Sequence, residues 1–109
     1  MKTVKMTQKL HAYLGFAAKS GQMAWGNDKC EKVIKSGRTK LILISENAGI
    51  NTKKHFSDMA SFRDIPCALV ENDSLGAAIG RDIKTVCITG EGFADAVIKE
   101  INLWGTENE

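Results

Sequence analysis

The chain has 109 residues, of which 43% are hydrophobic and 26% charged, and its formal net charge is +2. These values are typical of one globular domain with a single buried core. They exclude a largely disordered protein and an overwhelmingly basic nucleic-acid binder, and no apolar run approaches the ~20 residues that span a bilayer. We expect one cytoplasmic domain over residues 1–109, with loose ends at about 1–6 and 105–109.

The cysteines Cys30, Cys67 and Cys87 are widely spaced. An odd number of cysteines without a CxxC pair favours buried thiols over a disulfide framework or a zinc site. The two histidines, His11 and His55, are too few to complete a metal site with them. We therefore predict no metal and no cofactor, and we expect no membrane contact and no small-molecule substrate.

The first predicted element is a helix. Thr7 can cap its start, and the apolar residues Leu10, Leu14 and Ala17 recur at helical spacing. Gly21 can end the helix in a left-handed conformation. Residues 1–6 are expected to be a frayed segment before this helix.

A second predicted helix follows a short connector at residues 22–25, which could also form a brief strand. Asn27 or Gly26 begins the helix, Asp28 suits the positive end of the helix dipole, and Gly37 ends it. The residues expected to form its buried face are Cys30, Val33 and Ile34.

Three segments are predicted to be strands. The continuous apolar run Leu41–Ile44 indicates a strand that is covered on both faces. Cys67–Val70 follows a proline, which is tolerated where a strand begins, and Lys84–Ile88 has the same apolar character.

Helices are predicted between and after these strands. One begins at Asn51 or Thr52, a short one covers Ser74–Gly80 with Asp73 as its cap, and a last one follows the turn Thr89–Gly92. Strands that alternate with helices predict an α/β protein, specifically a three-layer α/β/α sandwich with a small mixed sheet.

The stretch from Met23 to Lys40 holds the best candidate site. A helix start offers unpaired N–H groups to phosphate, and Gly26 would allow close approach. The neighbouring side chains could pair with base edges, neutralise phosphate or stack on a base, respectively Asn27 and Asp28, Lys29 and Lys32, and Trp25. On residue chemistry alone, an ordinary capped helix with a solvated lysine face explains this stretch better, since capping needs no ligand.

Two further patterns suggest chemistry only weakly. The turn Gly90–Gly92 joins a strand to a helix and could cradle phosphate, but Glu91 would repel that ligand and the third glycine of a dinucleotide fingerprint is absent. No histidine and acid at readable spacing support a cysteine nucleophile. A tight turn and small core residues explain these patterns better, so we do not predict an enzyme.

Most of the chain, from about Leu10 to Ile101, resembles the kink-turn RNA-binding ribosomal proteins of the L7Ae and L30e type, and within them the bacterial YlxQ-like branch. The matching segments, in the family's order, are Leu14–Gly21, Gly26–Gly37, Thr39–Ala48, Asn51–Lys54, Ile65–Cys67, Leu75–Gly80 and Thr89–Ala94. The resemblance implies the same α/β/α sandwich and RNA binding at the start of the second helix.

In that family a Gly-x-Asn-Glu-x-x-Lys run begins the second helix. Its Asn and Glu read the sheared G·A pairs of a kink-turn, and its Lys contacts the RNA backbone. When the run is anchored on Gly26, Lys32 and Gly37, the Asn position falls on Asp28 and the Glu position on Lys29. Asp28 could still accept hydrogen bonds from guanine, whereas Lys29 has no acceptor.

The family's second RNA contact is the loop before the short helix. Here that loop is Val70, Glu71, Asn72 and Asp73. Val70 could pack on an unstacked base, while the two acids are unfavourable next to phosphate.

The leading hypothesis is a non-enzymatic RNA-binding protein, associated with the ribosome, that recognises structured, kink-turn-like RNA such as ribosomal RNA. Gly26 would allow approach, and Lys19 would join the second helix in contacting phosphate. The alternative is a protein-interaction module on the same fold that lacks specific RNA recognition. A third possibility, a small phosphate-ligand or thiol enzyme, rests on Gly90–Gly92 and the cysteines.

Overall fold

The computed structural model describes residues 2–101 of the chain, so the loose end expected at 105–109 lies outside the described residues. The elements, in chain order, are β1 (Thr3–Val4), α1 (Gln8–Lys19), β2 (Met23–Trp25), α2 (Asn27–Lys35), β3 (Leu41–Ser45), α3 (Ile50–Arg63), β4 (Cys67–Val70), α4 (Ser74–Ile79), β5 (Thr85–Ile88) and α5 (Glu91–Glu100). None of the helices in this described part is long and apolar enough to cross a membrane.

The strands form one mixed sheet in the order β1-β4-β3-β5-β2. β4 is parallel to β1 and β3, whereas β5 is antiparallel to β2 and β3. The predicted α/β/α sandwich with a small mixed sheet is confirmed. The connector at 22–25 supplies a strand, β2, which pairs Met23 with Ile88 and Trp25 with Val86.

The expectation of a frayed segment at residues 1–6 is wrong for Thr3–Val4. This pair forms β1 because the outer edge of β4 offers unsatisfied backbone groups. The Leu69 N–H donates to the Lys2 carbonyl at 2.8 Å, and the Glu71 N–H donates to the Val4 carbonyl at 2.9 Å. The Val4 side chain is buried at the same time, which adds an apolar contribution.

The core lies in two layers, one on each face of the sheet. α1, α4 and α5 cover one face, where Leu41 and Leu43 of β3 are buried. α2 and α3 cover the other face, where Ile42 and Ile44 are buried. The unbroken apolar run of β3 is thus explained, because successive side chains of a strand enter opposite layers.

Thr7 and Gly37 follow the predicted signals for helix ends, whereas Asp73 does not. The Thr7 hydroxyl accepts from the Leu10 N–H at 3.0 Å at the start of α1, and Gly37 takes a φ of 80° just after α2. Asp73 precedes α4, but its side chain makes no capping bond. Its carboxylate instead accepts from the Lys84 ammonium at 2.6 Å, a contact that only the tertiary fold makes possible.

Cys30 of α2, Cys67 of β4 and Cys87 of β5 belong to the core layer that α2 and α3 cover, and they form no disulfides. Cys30 and Cys87 are fully buried, and the Cys30 thiol donates to the Ala24 carbonyl at 3.5 Å. A hydrogen bond with the Cys87 thiol, together with burial, raises the pKa of Cys30 far above its ordinary value. Burial also raises the pKa of Cys67, to about 12. Within residues 2–101, no three His, Cys, Asp or Glu side chains are grouped to hold a metal ion.

Candidate functional site

The two segments singled out in the sequence lie at the same end of the sheet. Antiparallel pairing sets the end of β2 and the end of β3 beside the start of β5, and parallel pairing sets the end of β4 beside the end of β3. Residues 25–29, 45–47, 71–73 and 80–85 therefore meet there, and we refer to them together as the Gly26 end.

The start of α2 depends on the backbone of Gly26. Its φ of 90° and ψ of 151° belong to a region that is essentially restricted to glycine. Its N–H donates to the Thr85 carbonyl at 2.9 Å, which ties the start of α2 to the start of β5. Glycine is thus required by the fold itself at this position, whether or not a ligand approaches.

Three consecutive exposed side chains follow Gly26, namely Asn27, Asp28 and Lys29. The Asn27 amide oxygen accepts a hydrogen bond from the hydroxyl of the fully buried Thr85 at 2.9 Å. Because the amide oxygen is already bonded to the Thr85 hydroxyl, the amide NH₂ group remains available to donate to a ligand. Asp28 adds carboxylate acceptors, and Lys29 adds an ammonium group.

Trp25 is half-buried at the end of β2 and has two cations near its ring. The Lys29 ammonium lies 5.8 Å from the ring centroid, and the Arg81 guanidinium carbon lies 5.3 Å from it. Both distances fall within the range of cation–π attraction. The two cations concentrate positive charge around Trp25, which suits a phosphate-bearing ligand.

A cavity of about 350 Å³ lies beside the start of α2. It is lined by Gly26, Asn27, Asp28, Asp82, Ile83 and Lys84. The loop after α4 thus forms the second wall of the site, opposite the exposed polar side chains of α2.

Lys84 also joins this loop to the segment before α4. Its hydrogen bond holds the pKa of Asp73 below the ordinary value, and the same contact raises the pKa of Lys84. Both groups remain charged at neutral pH, so the contact neutralises one of the acids that would oppose phosphate.

Hydrogen bonds to the last residue of β3, to the residue after it and to Met6 fix the loop at 71–73. The Asn72 N–H donates to the Glu46 carboxylate at 2.9 Å, and the Asn72 carbonyl accepts from the Ser45 hydroxyl at 2.7 Å. Asn72 has a φ of 49°, a left-handed conformation that asparagine tolerates well. The Glu71 carboxylate accepts from the Met6 N–H at 2.8 Å. These bonds present the Asn72 side chain to solvent on a fixed backbone.

Two sequence-predicted site residues do not join the others. Val70 is fully buried in the core, so it offers no surface on which a base could pack, contrary to the expectation from the sequence. Lys19 ends α1 before β2 begins, whereas Gly26 follows the end of β2. The strand therefore separates Lys19 from the start of α2. Lys32 is exposed on α2, one turn beyond Asp28 and Lys29.

Arg81, Lys84 and Thr85 belong to the site, but sequence reasoning did not identify them. Arg81 and Lys84 follow the short helix α4, and they reach the start of α2 only because β5 pairs with β2. Thr85 was expected as the second residue of an apolar strand. A hydroxyl among apolar strand residues was the one available signal, since a buried hydroxyl requires a partner.

The chain was compared with known proteins. The sequence profile of the ribosomal protein L7Ae/L30e/S12e/Gadd45 family matches residues 8–98. The RNA-binding protein YlxQ of Bacillus subtilis (strain 168) is 34% identical over 87 residues, which are 78% of this chain and 87% of that protein. The RNA-binding protein YlxQ of Enterococcus faecium is 28% identical over 88 residues, which are 80% of this chain and 85% of that protein.

Two solved structures have a similar fold. A Bacillus halodurans protein of unknown function superimposes with a TM-score of 0.81 at 30% sequence identity, and the match covers 88% of this chain and 99% of that one. The Giardia lamblia 15.5kD RNA binding protein superimposes with a TM-score of 0.73 over 86% of this chain and 85% of that one. Its sequence identity is 15%, so this second likeness concerns the fold alone.

Proposed function

Because the chain belongs to the ribosomal protein L7Ae/L30e/S12e/Gadd45 family, we propose that it binds structured RNA through the Gly26 end of the sheet. Its YlxQ relatives are RNA-binding proteins by name. The observation that carries the proposal is the start of α2. It presents three successive exposed polar side chains from a backbone that is hydrogen-bonded to Thr85.

The chemistry of these side chains suits splayed bases better than a regular helix. Asn27 can donate and Asp28 can accept, and guanine presents an acceptor and adjacent N–H donors on its edges. The deep, narrow major groove of A-form RNA excludes side chains, whereas bases in bulges and internal loops can be reached. The proposed target is therefore an internal loop of the kink-turn type, with ribosomal RNA as the proposed source.

Cations around this start would bind the RNA backbone. Lys29, Lys32 and Arg81 surround the Trp25 end of β2, and each phosphate that a cation neutralises releases counterions. By the family resemblance, Lys29 falls at the position of the glutamate that would accept from guanine. We propose that it contacts phosphate instead, so discrimination between G·A pairs and other pairs falls mainly on Asp28.

The acids of the site support a second candidate, a protein-interaction module on the same fold. Glu46, Glu71, Asp73 and Asp82 all lie at the Gly26 end, where they would repel phosphate. Three of them have roles in the fold, since Glu46 and Glu71 accept backbone N–H bonds and Asp73 pairs with Lys84. These roles explain three of the four acids without a protein partner, so RNA binding remains the leading proposal.

The proposal is tested by titrating the protein with a kink-turn RNA and with the same RNA carrying disrupted G·A pairs, over a series of salt concentrations. We expect tighter binding to the intact RNA and a steep loss of affinity as salt rises. Equal affinity for the two RNAs would exclude kink-turn recognition. No binding to either at low salt would favour the protein-interaction module.

A further inference from the structure

β2 is an edge strand, and within residues 2–101 it pairs only with β5. In an antiparallel pair, every second residue directs its N–H and C=O toward the partner strand. Gly26 donates to the Thr85 carbonyl, and the Gln22 carbonyl accepts from Thr89. By this alternation Ala24 bonds to Cys87, whereas the backbone groups of Met23 and Trp25 point away from the sheet.

A groove runs along this open edge. It has a volume of about 260 Å³, and its floor includes Met23 and Trp25. α2 forms its wall through Lys29, Lys32 and Val33, which is half-buried. The volume lies just below the range of ~300–1,000 Å³ that is typical of pockets for whole small molecules.

The charge of the groove has one sign. Lys29, Lys32 and Arg38 line it, and none of its lining residues is acidic. The Arg38 side chain is held at the far end, where its Nε donates to the Ser36 hydroxyl at 2.9 Å. An occupant with acidic side chains would complement these three cations.

The open edge favours a peptide over a nucleic acid as this occupant. Met23 and Trp25 each present one N–H donor and one C=O acceptor toward the groove, in the spacing of a strand. Another strand matches both kinds of group, as in recognition by strand addition. A phosphodiester backbone supplies acceptors and would leave the two carbonyls without donors.

We propose that an extended acidic peptide of a partner protein adds to β2 as a further strand and lies in the groove between β2 and α2. An apolar side chain of the peptide packs on Val33, and carboxylates two residues before and after it, which lie on the same face of the added strand, pair with Lys29, Lys32 and Arg38. This surface is distinct from the cavity at residues 26–28 and 82–84, although it shares Trp25, Lys29 and Lys32 with the proposed RNA site.

The test uses the short synthetic peptide Glu-Ser-Val-Ser-Glu, whose glutamates and valine lie on one face of an extended strand, with amide hydrogen exchange of the full chain followed by NMR. We expect slower exchange at Met23 and Trp25 and no change at Ala24, whose N–H already bonds to Cys87. The same peptide with alternate N-methylated amides keeps its charge but cannot form the strand. It should lose binding by more than about tenfold.

Two variants and a control separate strand addition from simple ionic attraction. Val33→Glu should abolish peptide binding, and Arg38→Ala should weaken it by about two- to fivefold, as is usual for one exposed ion pair. Lys9→Ala removes a lysine from α1 on the opposite layer and should leave binding unchanged. Circular dichroism of each variant verifies folding.

Three results would overturn the inference. One is equal binding of the N-methylated peptide, which would indicate ionic contact alone. Another is unchanged exchange at Met23 and Trp25 in the presence of saturating peptide. The third is that the peptide does not bind, whereas a single-stranded RNA shifts the resonances of Val33 and Arg38. That result would make the groove an RNA subsite.

Discussion

The hydroxyl of Thr85 donates a hydrogen bond to the amide oxygen of Asn27 at 2.9 Å, so the first residue of β5 fixes the side chain of the first residue of α2. The N–H of Gly26, the residue before Asn27, also donates to the backbone carbonyl of Thr85. Side chain and backbone together hold the helix start on the sheet. The base-contacting residues proposed for α2 are thereby presented from a rigid position.

Thr85→Val tests this bond by removing the hydroxyl while keeping the branched shape. We expect a loss of about 0.5–1.5 kcal/mol in the free energy of unfolding, because the exposed Asn27 amide can turn to water. Urea denaturation measures the effect. Thr39→Val is the matched control, since the buried Thr39 hydroxyl finds no hydrogen-bond partner in the described residues. That change should be neutral or stabilising, and equal losses in both variants would contradict the role given to the Asn27 bond.

Gly26→Ala should destabilise the protein by about 1–3 kcal/mol, because a side chain is strained at its φ of 90° and ψ of 151°. Gly49→Ala is the control, since Gly49 also precedes a helix but has an ordinary extended conformation with a φ of −61°. We expect it to cost less than about 1 kcal/mol. Thermal or urea unfolding compares the two, and similar costs would show that the backbone at Gly26 relaxes.

Lys84→Gln should bring the pKa of Asp73 back up toward its ordinary value, because the largest cause of its lowering is the hydrogen bond from Lys84. The stabilisation that comes from the lowered pKa is present above the unfolded-state pKa and is lost as pH falls through the folded-state pKa. The raised pKa of Lys84 works in the opposite direction, and its contribution is lost only at alkaline pH.

Carboxyl-carbon NMR titration of Asp73 measures this shift directly. Lys54→Gln is the control, because Lys54 pairs with Asp58 on α3 instead. An Asp73 titration that does not move in Lys84→Gln would mean that Asn47, the second contributor, holds the carboxylate alone.

Lys32→Ala should weaken binding to every structured RNA and reduce the slope of affinity against salt by about one. Lys32 is exposed on α2, one turn beyond the residues proposed to contact bases. Lys19→Ala should have a smaller effect, since β2 separates Lys19 from the start of α2. Lys9→Ala serves as the charge-matched control. An equal effect of Lys9 and Lys32 would move the RNA surface away from α2.

Asp28→Asn combined with Lys29→Glu introduces the Asn and Glu of the kink-turn run that the resemblance aligns with these positions. The new carboxylate can accept from guanine, and charged hydrogen bonds contribute about 1.5–3 kcal/mol. We therefore expect the double variant to prefer intact over disrupted kink-turn RNA by at least about tenfold more than the natural chain does. An unchanged preference would mean that the RNA is not read by these two side chains.

The sequence predicted the elements that carry strong local patterns. The apolar run Leu41–Ile44 and the stripe of Leu10 and Leu14 required burial, and both are fully buried. β1 and β2 have two and three residues, too few for a period to be recognised. These strands form because β4 and β5 have open edges. Those edges depend on the tertiary fold and cannot be predicted from the local sequence.

The candidate site shows the same division. The sequence predicted Gly26 and the polar residues after it as a helix start, because helix starts have strong local residue preferences. Arg81 over Trp25, and Lys84 on Asp73, join residues that are distant in sequence. The choice of Asp73 between capping α4 and pairing with Lys84 depends on loops that meet only in the folded chain, so propensity alone predicted the wrong partner.

Cys30 lies on the buried face of α2, against Cys87 of β5, and its raised pKa keeps the thiol protonated at neutral pH. A protonated, fully enclosed thiol does not react with alkylating reagents. Modification of Cys30 therefore requires that α2 first lift off the sheet. The rate of Cys30 alkylation therefore reports how often α2, which bears the proposed RNA contacts, separates from the sheet. A ligand that stabilises the packed position of α2 would lower this rate.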